Sequence, residues 1–284
     1  MTQLTQRTPG ISGIDHAVVA VRNLEAARET FTRMGLTLAP RGEHNTGSSN
    51  HNVMLGSDYF ELLHVPRPHP LMAYYHRLLQ QCEGLAALAL RGTDAAATHA
   101  ALAALGFEPE PTRELSRQVS GGSRAGLARF SVTNVAARAT PGAQVFVCQH
   151  HTPELVWLPE LQQHANTATG IAAIAVVTDK VAHQAGLYAK LIGAWPERID
   201  EGLKVDTGGA PLAFCTPQAL RARLREVELP RRSGPHPAAL FIRVADRQAA
   251  YRCLYEKNLA PRRMSDGSVA VDASRAHGVA MVFG

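Results

Sequence analysis

Two polar side chains inside apolar strands carry the strongest chemical signal in this sequence. His16 stands in GIDHAVVAV and Glu61 in YFELLHV, each flanked by residues that belong in a core. An ionised carboxylate taken out of water without a partner costs several kcal/mol, so Glu61 must reach solvent, a cation or a metal ion. Alternation along a strand puts His16 with Val18 and Ala20 on one face, and Asp15 with Ala17, Val19 and Val21 on the other. On the second strand Tyr59, Glu61 and Leu63 share a face, opposite Phe60, Leu62 and His64. The strand between them, SNHNVMLG, adds Asn50 and His51, which either line a pocket or satisfy the hairpin. Arg41 is an alternative partner for Glu61.

These strands belong to a fourfold repeat. GIDHAVVAVRNLEAARETFTRMG (13–35), GLAALALRGTDAAATHAALAALG (84–106), GIAAIAVVTDKVAHQAGLYAKLIG (170–193) and HPAALFIRVADRQAAYRCLYEKN (236–258) each run from an apolar strand through a polar turn into a helical pattern. Asn23, Thr93 or Asp94, Asp179 and Asp246 are the expected helix caps, and Gly35, Gly106 and Gly193 the expected stops. Two or three short strands follow each helix. The unit is therefore βαβββ and the fold class α+β: four units paired into two curved, incomplete-barrel domains. The expected division is 11–150, a connector at 151–169, and 170–284. Pro153, Leu155, Trp157 and Pro159 suggest a connector packed against a domain.

Composition excludes several classes. The longest apolar runs, such as IAAIAVV at 171–177, are strand-length, well short of the roughly 20 residues of a membrane helix. The opening MTQLTQRTPG lacks the apolar core of a signal peptide, and the expected location is the cytoplasm. The four cysteines form no Cys-x-x-Cys pair and are read as buried thiols. A net charge of +5 comes partly from arginines in RARLREVELPRR, interspersed with glutamates, which reads as a helix face and linker. The expected partner is an anionic or oxygen-rich small molecule, with no nucleic acid and no membrane; a homodimer is possible. SGGSRAG (120–126) lacks the lysine of a phosphate loop and is read as a hairpin tip.

The repeat, with the Asp-His of GIDHAVVAVRNLEAA (13–27) and the Asn-His and Glu of TGSSNHNVMLGSDYFELLHV (46–65), resembles the vicinal oxygen chelate superfamily: the glyoxalases, bleomycin-resistance proteins and extradiol dioxygenases. The resemblance implies a divalent metal, zinc, iron, manganese or nickel, held in the cup by residues of first and last strands. His16 and Glu61 are the implied ligands. The last strand of the second unit, AQVFVCQHH, supplies Cys148, Gln149 or His150, depending on register. His150 would complete a set of two histidines and one carboxylate. Glu61 and His51 are the candidates for proton transfer, and Asn50, Tyr59 and Cys148 for substrate contacts. The second half shows Ala172 or Ala173 where His16 stands, and reads as a degenerate copy. The implied activity is metal-dependent isomerase or lyase chemistry ahead of dioxygenation, on a substrate chelated through vicinal oxygens. The alternative is a binding or resistance protein using the same cup without turnover.

Overall fold

The computed structural model describes residues 7–44, 46–119 and 123–284. The tip of the hairpin expected at 120–126 therefore lies partly outside the described residues. In the first half, β1 (Ile11–Val21), α1 (Leu24–Arg33), β2 (Gly42–Glu43), β3 (Ser49–Met54) and β4 (Tyr59–His64) form one unit. After α2 (Ala73–Gln81), the second unit comprises β5 (Gly84–Gly92), α3 (Ala95–Ala104), β6 (Arg113–Val119), β7 (Gly126–Asn134) and β8 (Gln144–His150). The eight strands make one sheet ordered β2-β3-β4-β1-β5-β8-β7-β6, whose end strands β2 and β6 approach each other. The result is a nearly closed, curled sheet around a hollow.

The second half repeats the plan with β9 (Ala168–Val177), α4 (Val181–Ile192), β10 (Pro196–Ile199), β11 (Gly202–Val205), β12 (Leu212–Cys215) and α5 (Pro217–Arg223). It continues with β13 (His236–Val244), α6 (Arg247–Glu256), β14 (Arg262–Arg263), β15 (Val269–Val271) and β16 (Ala280–Phe283), in the matching order β10-β11-β12-β9-β13-β16-β15-β14. The fold is α+β, with four βαβββ units paired into two curled sheets.

Local chemistry explains the helix ends. The side chains of Asn23, Asp94 and Asp246 accept backbone N–H groups of the first turns of α1, α3 and α6. α4 departs from the expected pattern: its cap is Lys180 rather than Asp179, and it makes no side-chain cap bond. The helix-side faces of both sheets merge into one core. Ile14, Ala17 and Val19 of β1 and Ile171, Ile174 and Val176 of β9 share it with Phe31, Leu102, Tyr188 and Leu254 of the helices.

Two segments fill the hollow of the first sheet: the α2 helix, which was not expected, and the connector, which packs on a domain as expected. Tyr75 and Leu79 of α2 plug one end against Val18, Ala20 and Leu63. At the other end Val156 and Trp157 of the connector pack on Met54, Tyr59, Ala128 and Phe130.

Candidate functional site

The chemistry of the hollow depends on an irregularity in β1. Ile14 pairs with Leu90 and His16 with Ala89, so Asp15 is an extra residue, a one-residue β-bulge. Strict alternation would send Asp15 to the helix side, as expected from the sequence. The bulge corrects that expectation: Ile14 and Ala17 both join the helix-side core, while Asp15 and His16 both turn into the hollow. Two neighbouring residues thus contribute to one site.

Asp15 is fully buried and ties the site together. Its Oδ2 accepts from His16 Nδ1 at 2.7 Å and from His150 Nε2 at 2.9 Å, while Oδ1 lies 3.4 Å from the Nε of Arg91. Burial pushes this carboxyl up, but the hydrogen bonds and charges of His150 and His16 outweigh burial and hold it well below the usual carboxylate range. Because a carboxylate only accepts, both imidazole nitrogens facing it carry protons. In the neutral imidazoles this tautomer leaves the lone pairs on His16 Nε2 and His150 Nδ1.

His16 Nε2 points toward Glu61, 3.8 Å from its Oε2. β4 runs parallel to β1 with Val18 opposite Glu61, which brings the carboxylate to the same face as His16. The other carboxylate oxygen, Oε1, accepts from Asn50 Nδ2 at 2.5 Å. Glu61 is 9% exposed and His16 4%, so this pair sits out of bulk water. The alternative partner for Glu61 is excluded, since Arg41 pairs with Glu43 at the surface, at 2.6 Å.

The last strand of the second unit has an unambiguous register. β5 carries the same bulge as β1, at Ala86, so Ala87 is the counterpart of His16 and Ala89 of Val18. Ala89 pairs with Phe146 as Val18 pairs with Glu61, so Phe146 stands at the Glu61 position. Phe146 meets His16 edge-on, which places Cys148 and His150, two and four residues on, on the hollow side. Gln149 faces the other way and accepts the N–H of Ala95 at the start of α3. Burial, with the nearby Asp15 and Glu61 charges, pushes the Cys148 thiol far above its ordinary value. It stays protonated.

His51 does not join the site. Asn50 and Asn52 share the Glu61 side of β3, so the intervening His51 turns toward the helix side, where its Nδ1 donates to Ala39 O at 2.8 Å. The proton-transfer role expected for His51 is therefore withdrawn. Tyr59 stacks on His16 at 4.4 Å between ring centroids, and with Phe130 and Phe146 forms an aromatic wall. Trp157 roofs it, 4.8 Å from His150 and 5.8 Å from Tyr59. Sequence reasoning missed Asp15, Arg91 and Trp157 as parts of the site. The guanidinium of Arg91 hydrogen-bonds Ser57 O as well as facing Asp15, and lies over the Trp157 ring.

Several donor atoms converge here. Asp15, Cys148 and His150 each offer a ligand atom within 4.8 Å of the others, a spacing that can hold a metal ion, and His16 and Glu61 adjoin them. Asn50 Oδ1 and His150 Nδ1 are buried without hydrogen-bond partners. In the second sheet the same bulge recurs: Ile171 pairs with Ile242 and Ala173 with Phe241, leaving Ala172 as the extra residue. Ala172 and Ala173 thus replace Asp15 and His16, and Ala213 on β12 stands at the Glu61 position.

Residues 14–192, more than half of the chain, match the family model described as a glyoxalase-like domain. The chain belongs to the glyoxalase-like domain family, within the vicinal oxygen chelate superfamily. It is similar in structure to a hypothetical protein from Staphylococcus aureus, with a TM-score of 0.68 and 14% identity over 95% of this chain and 98% of that one. It is likewise similar to a variant of 4-hydroxymandelate synthase from Streptomyces coelicolor, with a TM-score of 0.62 and 13% identity over 96% and 92% of the two chains. A third likeness is to a xylose isomerase-like TIM barrel/4-hydroxyphenylpyruvate dioxygenase fusion protein, with a TM-score of 0.56 and 14% identity over 98% of this chain and 50% of that one. These are likenesses of fold. No curated protein matches the sequence. No helix among the described residues is long and apolar enough to cross a membrane.

Proposed function

We propose that this chain is a divalent-metal enzyme acting on a small substrate gripped through two neighbouring oxygens, by proton transfer rather than dioxygenation. The observation that carries the reading is the meeting of His16 Nε2 and Glu61 Oε2, 3.8 Å apart, in a hollow where a buried carboxylate already orients two imidazoles.

The side chains fit such an ion. Imidazole and carboxylate donors suit zinc, iron, manganese and nickel alike, and the unpartnered lone pair of His150 Nδ1 is a buried acceptor that an ion would satisfy. The pair that would hold it is His16 through Nε2 and Glu61 through Oε2, 3.8 Å apart; His150 instead shares its close donor group with Asp15 and Cys148, and the protonated Cys148 thiol is a poorer ligand. A bound ion would supply Lewis-acid stabilisation of charge on the substrate oxygens. The protein's own contribution is orientation: Asp15 sets the tautomer of both histidines, the outer partner that such ligands ordinarily need. With His51 on the other face, Glu61 is the group left to take or hold a proton, and Asn50 fixes its Oε1 edge. Tyr59, Phe146 and Trp157 exclude water.

A second reading, a binding protein without turnover, is favoured by Ala87, which stands at the second unit's counterpart of His16, and by Phe146 at the counterpart of Glu61, so that unit supplies no ligand at either position. Elemental analysis after anaerobic loading with each of the four metals separates the two, combined with isomerase, lyase and dioxygenase screens on vicinal-oxygen compounds. The expected result is about one ion per chain, lost in His16→Ala, and a proton-transfer activity that falls at least ~100-fold in Glu61→Gln. No metal under any loading condition would leave only the binding reading. Full activity and metal content in Glu61→Gln would refute the assignment of that residue.

A further inference from the structure

Apart from the aromatic hollow, a cleft of about 670 Å³ opens between the two halves. Its walls come from α1, the α2–β5 turn, the segment before β13, and the loop before β16. Five guanidinium groups line it: Arg22, Arg33, Arg231, Arg232 and Arg275. Only two carboxylates do, Glu83 and Glu228, and both are already committed. Glu83 accepts the backbone N–H of Arg22 and faces His277 Nδ1 at 3.1 Å, and it is held below the usual carboxylate range although burial opposes this. Glu228 faces Arg231 at 3.4 Å and accepts from Ser274.

The arginines, by contrast, are short of anions. Arg22 and Arg33 donate only to the backbone carbonyls of Leu79 and Lys257; Arg232 donates to those of Leu85 and Gly142 and lies beside the Tyr74 hydroxyl. Arg275 has no side-chain hydrogen bond, and the nearby Asp272 carboxylate is already paired with Arg262. A surplus of three positive charges therefore converges on one concavity of ligand size. The frame around it is stiff. Gly278 has φ +79°, and a Cβ there would stand 2.3 Å from Glu83 O, so the halves touch backbone to backbone at the cleft floor. His277 bridges the same seam, with its Nε2 3.2 Å from Thr30 Oγ1. The site is preformed, with little ordering left to pay on binding.

We propose that this cleft binds a small polyanion carrying two or more ionised phosphate groups, held by Arg33 and Arg275 from opposite halves. A guanidinium fork matches phosphate oxygens bidentately, and two forks across a seam select a ligand with separated charges over a single anion. Occupancy would clamp the halves together. This site is separate from the aromatic hollow, and the proposal does not depend on the reaction performed there.

The test is calorimetry and thermal unfolding of the full chain with inorganic pyrophosphate at fixed ionic strength. Chloride and sulfate serve as single-charge-centre controls, and a single-stranded RNA oligonucleotide as a macromolecular one. The expected result is saturable 1:1 binding of pyrophosphate with a rise in Tm. The double variant Arg33→Glu/Arg275→Glu should weaken binding at least ~10-fold, while Arg67→Glu, an exposed arginine outside the cleft, leaves it unchanged. Equal effects of sulfate and pyrophosphate, equal losses in the two variants, or binding of RNA alone would each overturn the proposal. So would the absence of any saturable binding by a double variant and wild type that unfold at the same temperature.

Discussion

Replacing Asp15 by asparagine keeps the shape of the side chain and removes the charge on which both histidines depend. The carboxylate now accepts two imidazole N–H bonds, at 2.7 and 2.9 Å, with no exposure to water. Hydrogen bonds to a charged group contribute about 1.5–3 kcal/mol each, against roughly 1 kcal/mol for neutral ones. If the amide oxygen takes the place of Oδ2, the two bonds together weaken by about 2 kcal/mol, and the amide nitrogen is left facing the Arg91 guanidinium without an acceptor. That orphan donor adds about 1 kcal/mol. Relief of the buried charge offsets part of the loss, so the expected net destabilisation is about 2 kcal/mol. Urea unfolding of metal-free protein at pH 7.5 reads this as a lower midpoint with an unchanged m-value. Metal affinity should fall 10–100-fold, as for an outer partner of a ligand histidine. Nitrogen chemical shifts of the imidazoles should show mixed tautomers in the variant. An unchanged midpoint together with unchanged tautomers would refute the view that Asp15 organises the site.

Trp157→Ala removes the roof over His150. It should cost about 2–3 kcal/mol, less than a fully buried tryptophan, and speed metal loading measured by stopped-flow; slower or unchanged loading would contradict the roofing role. His236, 3% exposed, is held neutral by burial, which lowers its pKa from 6.5 to about 4. The unfolded chain therefore takes up a proton first: stability is full above pH 6.5 and declines as pH falls toward 4, by about 2–3 kcal/mol. In a denaturation series His236→Gln should lack this component, and parallel wild-type and variant curves from pH 7 to 4.5 would exclude it.

The fold was legible because its signals are local. The period-2 strands, the caps Asn23, Asp94 and Asp246, and the glycine stops each follow from a few neighbouring residues. The meeting of His16 and Glu61 was legible for the same reason, since alternation within each strand places both on one face. What escaped was set by register between distant strands. The bulge that turns Asp15 inward is decided by pairing with Leu90 and Ala89, some 75 residues away, and nothing within GIDHAVV announces it. His51 was miscast although the needed signal was present. Neighbouring strand residues face opposite ways, so Asn50 and His51 could not both line the hollow, and the Asn52–Glu61 register decides which does. The α2 helix also left a trace, the i,i+4 spacing of Tyr75 and Leu79 after Pro70, but its role as a plug depends on the curvature of the finished sheet.

The recurrence of the β1 bulge in β9, with alanines at Ala172 and Ala173, separates a scaffold from its cargo. The backbone distortion that delivers two adjacent side chains to one point persists where there is nothing to deliver. Ala172, Ala173 and Ala213 are each partly open to solvent, and their neighbours already tolerate that geometry. Grafting aspartate, histidine and glutamate onto those three positions would ask the molecule for new chemistry without asking it for a new shape.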